Sequence, residues 1–198
     1  MIVADVNSRF TCTPLAIPGV VAVQRQCIGD ARGGLSRLFC VDEFGAAGWL
    51  WPIVQINHTH TSRAGTVRGM HYQCPPRAEA KLVSCLSGRV WDLAVDIRAG
   101  SPTFLQWCAR ELSADNLTAL LIPPGCAHGF QALTDDVELL YLHSAAYAPA
   151  VEGGLCPTDP RLGIEWPLPI SELSARDAGH PLLDRSFTGL EITAGVHS

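Results

Sequence analysis

The chain has 198 residues, 47% hydrophobic and 17% charged, with a net charge of −5 from 14 basic and 19 acidic side chains. That balance supports a sizeable packed core and excludes bulk disorder, and the acidic sum, without any Lys/Arg block, argues against a nucleic-acid surface. No run reaches the ~20 apolar residues of a membrane span, and the N-terminal MIVADVNSRF lacks a basic region ahead of an apolar core, so neither a membrane segment nor a signal peptide is expected.

Residues 1–198 read as one domain, punctuated by turn signals at Pro18-Gly19, Gly33-Gly34, Pro75-Pro76, Ser87-Gly88, Gly100-Ser101-Pro102 and Pro123-Pro124-Gly125. Short strand-like runs lie between them, which predicts an all-β sandwich or barrel. A helical turn or two is expected over residues 41–44. His58-x-His60 has a spacing that binds metal on some strands, but no Glu stands at a convincing ligand spacing, so no metal site is expected. The next strand is Val67-Arg68-Gly69-Met70-His71-Tyr72-Gln73, where strict alternation would put Arg68 and His71 on opposite faces. If both are to share a cavity, Gly69 must form a bulge.

Lys81-Leu82-Val83-Ser84-Cys85-Leu86 is a further strand, and its first residue falls beside His71 after the Cys74-Pro75-Pro76 turn. Trp91, Leu93, Val95 and Ile97 alternate with Val90, Asp92, Ala94 and Asp96, which makes one face core and gives the other two carboxylates, wet or paired. Leu139-Leu140-Tyr141-Leu142-His143 is another strand. Ser174-Ala175-Arg176-Asp177 has capping-box spacing at a short helix, and the weakly patterned chain from Leu183 onward reads as a loose tail. The cysteines at 12, 27, 40, 74, 85, 108, 126 and 156 include no CxxC pair, so they read as reduced small side chains of a cytoplasmic protein.

Taken singly, the polar residues on these strands have ordinary explanations. His71 reads as a hydrogen-bonded rim residue, Tyr141 as a core aromatic, Lys81 as surface, Arg68 as half of an ion pair and Asp177 as a helix cap. Together they place a base, cations and a phenol on successive strands, where a β interior is normally apolar. A concave interior equipped for proton transfer is the reading that accounts for the set.

The runs VRGMHYQ, AKLV, GRVWDLAVDIRAGSPTF, LSADN, IPPGCAHGF, ELLY, EGG, TDPRLGIEWP and ELSARD resemble, in order and spacing over residues 29–183, the dTDP-4-dehydrorhamnose 3,5-epimerase (RmlC-like) family. The resemblance implies a cupin-type β jelly roll with a few short helices. It also implies a homodimer with exchanged strands, no metal or organic cofactor, and a nucleotide-linked 4-keto-6-deoxyhexose substrate inverted at C3, C5 or both. Such chemistry belongs to deoxysugar biosynthesis, as in the rhamnose of cell-surface polysaccharides. By residue, the match implies His71 as base, Asp177 as its dyad partner, Lys81 as enolate stabiliser and Tyr141 as the acid on the other face. It assigns Arg68 to the diphosphate, Gln55, Asn57 and His128 to substrate binding, Tyr147 to packing against the base, and Arg32 to a reach across the dimer.

Three departures bear on the ligand. Gly34, Leu35, Ser36 and Arg37 stand where the family shows bulky aromatics and then a glutamate in the segment that grips the nucleoside. The chain between Asn57 and His71 is about one residue longer than the usual pattern, and Pro157 stands where tryptophan is common. Two alternatives therefore accompany the 3,5-epimerase reading. One keeps the chemistry but inverts a single carbon or takes a sugar on another nucleotide such as GDP or CDP. The other is a non-catalytic or metal-holding cupin.

Overall fold

The computed structural model describes residues 9–192. In chain order the strands are β1 (Phe10–Pro14), β2 (Val21–Arg25), β3 (Cys27–Asp30), β4 (Gly33–Ser36), β5 (Gln55–Thr61), β6 (Thr66–Gln73) and β7 (Lys81–Ser87). They continue with β8 (Arg89–Asp96), β9 (Trp107–Ser113), β10 (Thr118–Ile122), β11 (Cys126–Ala132), β12 (Val137–His143), β13 (Glu152–Gly154) and β14 (Glu172–Leu173). Two short helices, α1 (Val41–Ala46) and α2 (Ala175–Ala178), lie where helix was expected. One sheet runs β1-β2-β10-β7-β12-β5 and a second runs β13-β6-β11-β8-β9, with β14 added in parallel to β6. The strands β3 and β4 form a separate, largely exposed hairpin.

Alternation decides what each sheet buries. Inward residues of both sheets, among them Val83 and Cys85 of β7, Val90 and Ala94 of β8, Phe130 of β11 and Leu139 of β12, form one apolar cluster. The outer face of the first sheet, with Leu82, Leu121 and Leu142, is covered by Phe44 of α1 and by Trp49. On the second sheet, Leu93, Val95 and Ile97 face outward and are covered by Leu155, Leu162, Trp166, Leu183, Phe187 and Leu190.

That covering corrects two expectations. The chain beyond Leu183 is not loose as far as it is described: Phe187 stacks on Phe104 at 6.0 Å, and the Leu190 amide donates to the Ile97 carbonyl. Its weak pattern reflects irregular backbone laid over an apolar sheet, a role that needs scattered large side chains and no period. For the same reason β8 is core on both faces. Its carboxylates point into the sandwich, fully buried and paired, Asp92 with His128 and Asp96 with Arg98.

The expected bulge is present. His71 pairs with His128 while Arg68 pairs with Phe130, so Gly69 and Met70 together oppose Gly129. The extra residue returns Arg68 and His71 to the same face and sends Met70 into the outer cluster, fully buried. Gly69 has φ +131°, and a Cβ there would sit 2.5 Å from the Gly129 Cα, so both conformation and space require glycine.

Candidate active site

At one end of the sandwich the inward positions change from apolar to ionisable and enclose a cavity of about 870 Å³. Thr66, Arg68, His71 and Gln73 line it from β6 and His128 from β11, while Asn57, Lys81, Tyr141 and His143 line it from the other sheet.

His71 and Asp177 meet at 2.8 Å through Nε2 and Oδ1. The Ser174 hydroxyl accepts from the Asp177 amide at 3.0 Å, which is half of the expected capping box. The Asp177 carboxylate does not return to the Ser174 amide; it accepts from His71 and, at 3.4 Å, from the Gly69 amide. Because a carboxylate only accepts, a neutral His71 carries its proton on Nε2 and its lone pair on Nδ1. Burial lowers the His71 pKa below the ordinary histidine value, with Asp177 opposing in part, so the ring is a neutral base at pH 7.

Lys81 is 7% exposed, because it is the first inward residue of β7 in phase with Val83 and Cys85. Its ammonium donates to the His71 carbonyl at 3.2 Å and pairs with Glu79 at 3.3 Å. An ammonium has three N–H groups, so one remains to donate to a ligand. Burial acts to raise the Glu79 pKa, but the hydrogen bond from His143 at 2.9 Å and the charge of Lys81 outweigh it, and the carboxyl lies below its usual value.

Tyr141 comes from the sheet opposite His71. Its ring contacts His128 at 5.7 Å edge-on and stacks with His143 at 5.9 Å. Burial, reinforced by the charge of Asp92, raises its pKa, so the phenol keeps its proton and is a donor. His128, expected only to bind substrate, also forms a buried pair with Asp92 at 2.8 Å.

The remaining expected residues distribute unevenly. Arg68 lines the cavity, is solvent-exposed and has no ion pair among the described residues. Asn57 lies near His143 at 3.4 Å and accepts from Gln55 at 3.0 Å; Gln55 in turn accepts from the Tyr147 amide. Tyr147 stands at the cavity edge, 54% exposed, with its hydroxyl donating to Glu152. Arg32 is not brought to the cavity: it sits on the β3–β4 hairpin, paired with Asp30. Arg37 is tied to Glu43 of α1 at 2.6 Å.

Sequence reading missed Glu79 and His143, and it read Asp92 only as a wet or paired carboxylate of β8, without its partner His128. Glu79 shares inward parity with Lys81 and His143 with Tyr141, both of which were found, and that parity was the available signal. His58 and His60 are exposed beside Glu138 and Asp136. Among the described residues, the one group of three or more with metal-ligand proximity is His71, Asp177 and His180.

A protein-family model described as dTDP-4-dehydrorhamnose 3,5-epimerase matches residues 14–185. The chain belongs to that family. It is 43% identical to the dTDP-4-dehydrorhamnose 3,5-epimerase of Salmonella typhimurium over 174 residues, 87% of this chain and 94% of that one. It is 39% identical to a dTDP-4-dehydrorhamnose 3-epimerase of Streptomyces niveus, over 86% of this chain and 82% of that one. The solved structure of the Legionella pneumophila epimerase in complex with dTDP-4-keto-L-rhamnose superposes with TM-score 0.86 at 35% identity, covering 93% of this chain and all of that one. The fold is the cupin-like jelly roll of these dTDP-sugar epimerases.

Proposed function

We propose that this family member is an isomerase of deoxysugar biosynthesis, inverting C3 and C5 of a dTDP-linked 4-keto-6-deoxyhexose. The observation that carries the reading is one cavity with a neutral histidine on one sheet, paired with Asp177 of α2, and a protonated tyrosine and a lysine on the other sheet. The C4 ketone acidifies the hydrogens on C3 and C5 and is itself the electron sink, so the chemistry asks for no cofactor. His71 Nδ1 removes the proton, and Asp177 stabilises the imidazolium that forms. The charge moves to O4, where the remaining Lys81 N–H donates. Tyr141 then returns a proton from the opposite side, which inverts the carbon. Arg68, exposed at the cavity and without an ion pair among the described residues, suits one end of the diphosphate, and Asn57, His128 and Tyr147 lie within reach of the rest of the ligand.

A second reading, inversion at C3 alone, has a specific basis: the Streptomyces niveus 3-epimerase is nearly as similar as the 3,5-epimerases. The Arg37–Glu43 pair supports a changed nucleoside grip, since it holds Arg37 on α1. We further assign a cytoplasmic homodimer. All eight cysteines are free thiols, no helix among the described residues is long and apolar enough to cross a membrane, and the β3–β4 hairpin leaves Ile28 and Leu35 51% and 73% exposed. Offering the keto sugar on dTDP, GDP and CDP and following products by NMR tests the assignment. Formation of the doubly inverted sugar from the dTDP substrate is expected. A singly inverted product selects the second reading, and turnover of the GDP or CDP sugar alone overturns the nucleotide.

A further inference from the structure

Behind the His71–Asp177 pair stands an imidazole that proton transfer leaves unused. His180 follows the Gly179 cap of α2, and its ring lies over Gly154, where a Cβ would collide with Nε2. Gly154 pairs with His71 in the β13–β6 ladder, so the two histidines approach from adjoining strands and loop. The His180 Nε2 is buried and has no hydrogen-bond partner among the described residues, an arrangement that is unfavourable when nothing fills it. One ring nitrogen from each histidine and one Asp177 oxygen lie within 4.8 Å of one another.

We propose that His71, Asp177 and His180 form a site for a first-row divalent cation of the zinc class, and that filling it switches the enzyme off. Two imidazoles and one carboxylate suit zinc, nickel or cobalt, and are a poor match for magnesium or calcium, which take oxygen shells. Tetrahedral ligands at about 2.0–2.1 Å from zinc stand roughly 3.3 Å apart. The His71–Asp177 pair at 2.8 Å is already close to that separation. His180, in the segment after α2, closes the remaining gap of about 1.5 Å or less by a side-chain swing, leaving a fourth position for water.

The consequence for activity follows from proton bookkeeping, and it rests on the reading of His71 as the base. A neutral imidazole has one proton and one lone pair. In the active form Nε2–H faces Asp177 and the lone pair is on Nδ1. A cation on Nε2 takes the lone pair there, and the proton moves to Nδ1, the atom that must be bare to accept one from substrate. The metal is therefore an inhibitor, and its site is the back of the base.

Titration of chelator-stripped protein with Co²⁺, read by the visible bands of four-coordinate cobalt, reports the site without any turnover. Zn²⁺ inhibition of epimerisation reports its consequence. One equivalent of Co²⁺ should give the bands in the wild type and none in His180→Ala or His180→Asn. Zn²⁺ should inhibit the wild type reversibly, with the half-inhibiting concentration raised at least tenfold in His180→Ala, whose metal-free turnover stays within about twofold. Equal zinc sensitivity in the two proteins overturns the proposal, as do cobalt bands that survive both substitutions. Bands that require His180 in a protein that turns over no keto sugar would uphold the site and overturn the epimerase reading instead.

Discussion

Asp177 sits at the third position of its helical turn, where its amide is capped by Ser174, while its carboxylate is aimed away from the helix at His71. The ordinary reading of the residue as a cap is therefore accurate for its backbone and silent about its side chain. Asp177→Asn keeps the volume but offers an amide that permits the other tautomer. Turnover should fall by about 10²-fold or more with dTDP affinity unchanged within twofold, as read by steady-state kinetics and calorimetry. A comparable loss of dTDP affinity would make the residue a binding group. The His71 pKa, lowered by burial, sets the direction of the pH response. The base stays neutral below the ordinary histidine pKa, so the acid limb of kcat/KM should inflect below about 6.5, and activity is lost as pH falls through it. An inflection above 7 would contradict that environment.

The elements most legible in the sequence were those with a period. The alternation in β8, the short strands β7 and β12, and the turn signals between them required no more than parity and punctuation. The bulge in β6 was legible because the chemistry demanded that Arg68 and His71 share a face and only Gly69 offered the means. Gly69→Ala meets both a positive φ and the Gly129 backbone, so it should lower stability by about 3 kcal/mol or more, measured by denaturant unfolding. A near-wild-type unfolding midpoint would show that the strand crossing relaxes. What parity alone could not supply was depth. Lys81 reads as surface by residue type and is buried because the cavity, not solvent, receives its inward position. Glu79 and His143 reach the same cavity through pairings that only the folded ladder creates. The segment beyond Leu183 was misread because packing onto an outer sheet face leaves no period to detect.

At the scale of the molecule, the β3–β4 hairpin is the part that one chain leaves unexplained. Among the described residues its strands pair only with each other, and it holds Arg32, which family resemblance assigns to a reach across the dimer, away from this chain's cavity. In the homodimer proposed above, a partner subunit's cavity would be the destination of Arg32. Leu35→Asp should then raise the dimer dissociation constant tenfold or more in sedimentation equilibrium. An unchanged association state would remove the hairpin from the interface.

The most direct test follows deuterium from solvent into dTDP-4-keto-6-deoxyglucose by NMR, with the wild type and Tyr141→Phe side by side. The wild type should place deuterium at C3 and C5 with inversion. The variant should still wash deuterium into at least one carbon through His71 while forming at least tenfold less inverted product. Exchange in neither protein would contradict proton abstraction by His71, and full inversion by Tyr141→Phe would contradict delivery of the second proton from the opposite sheet.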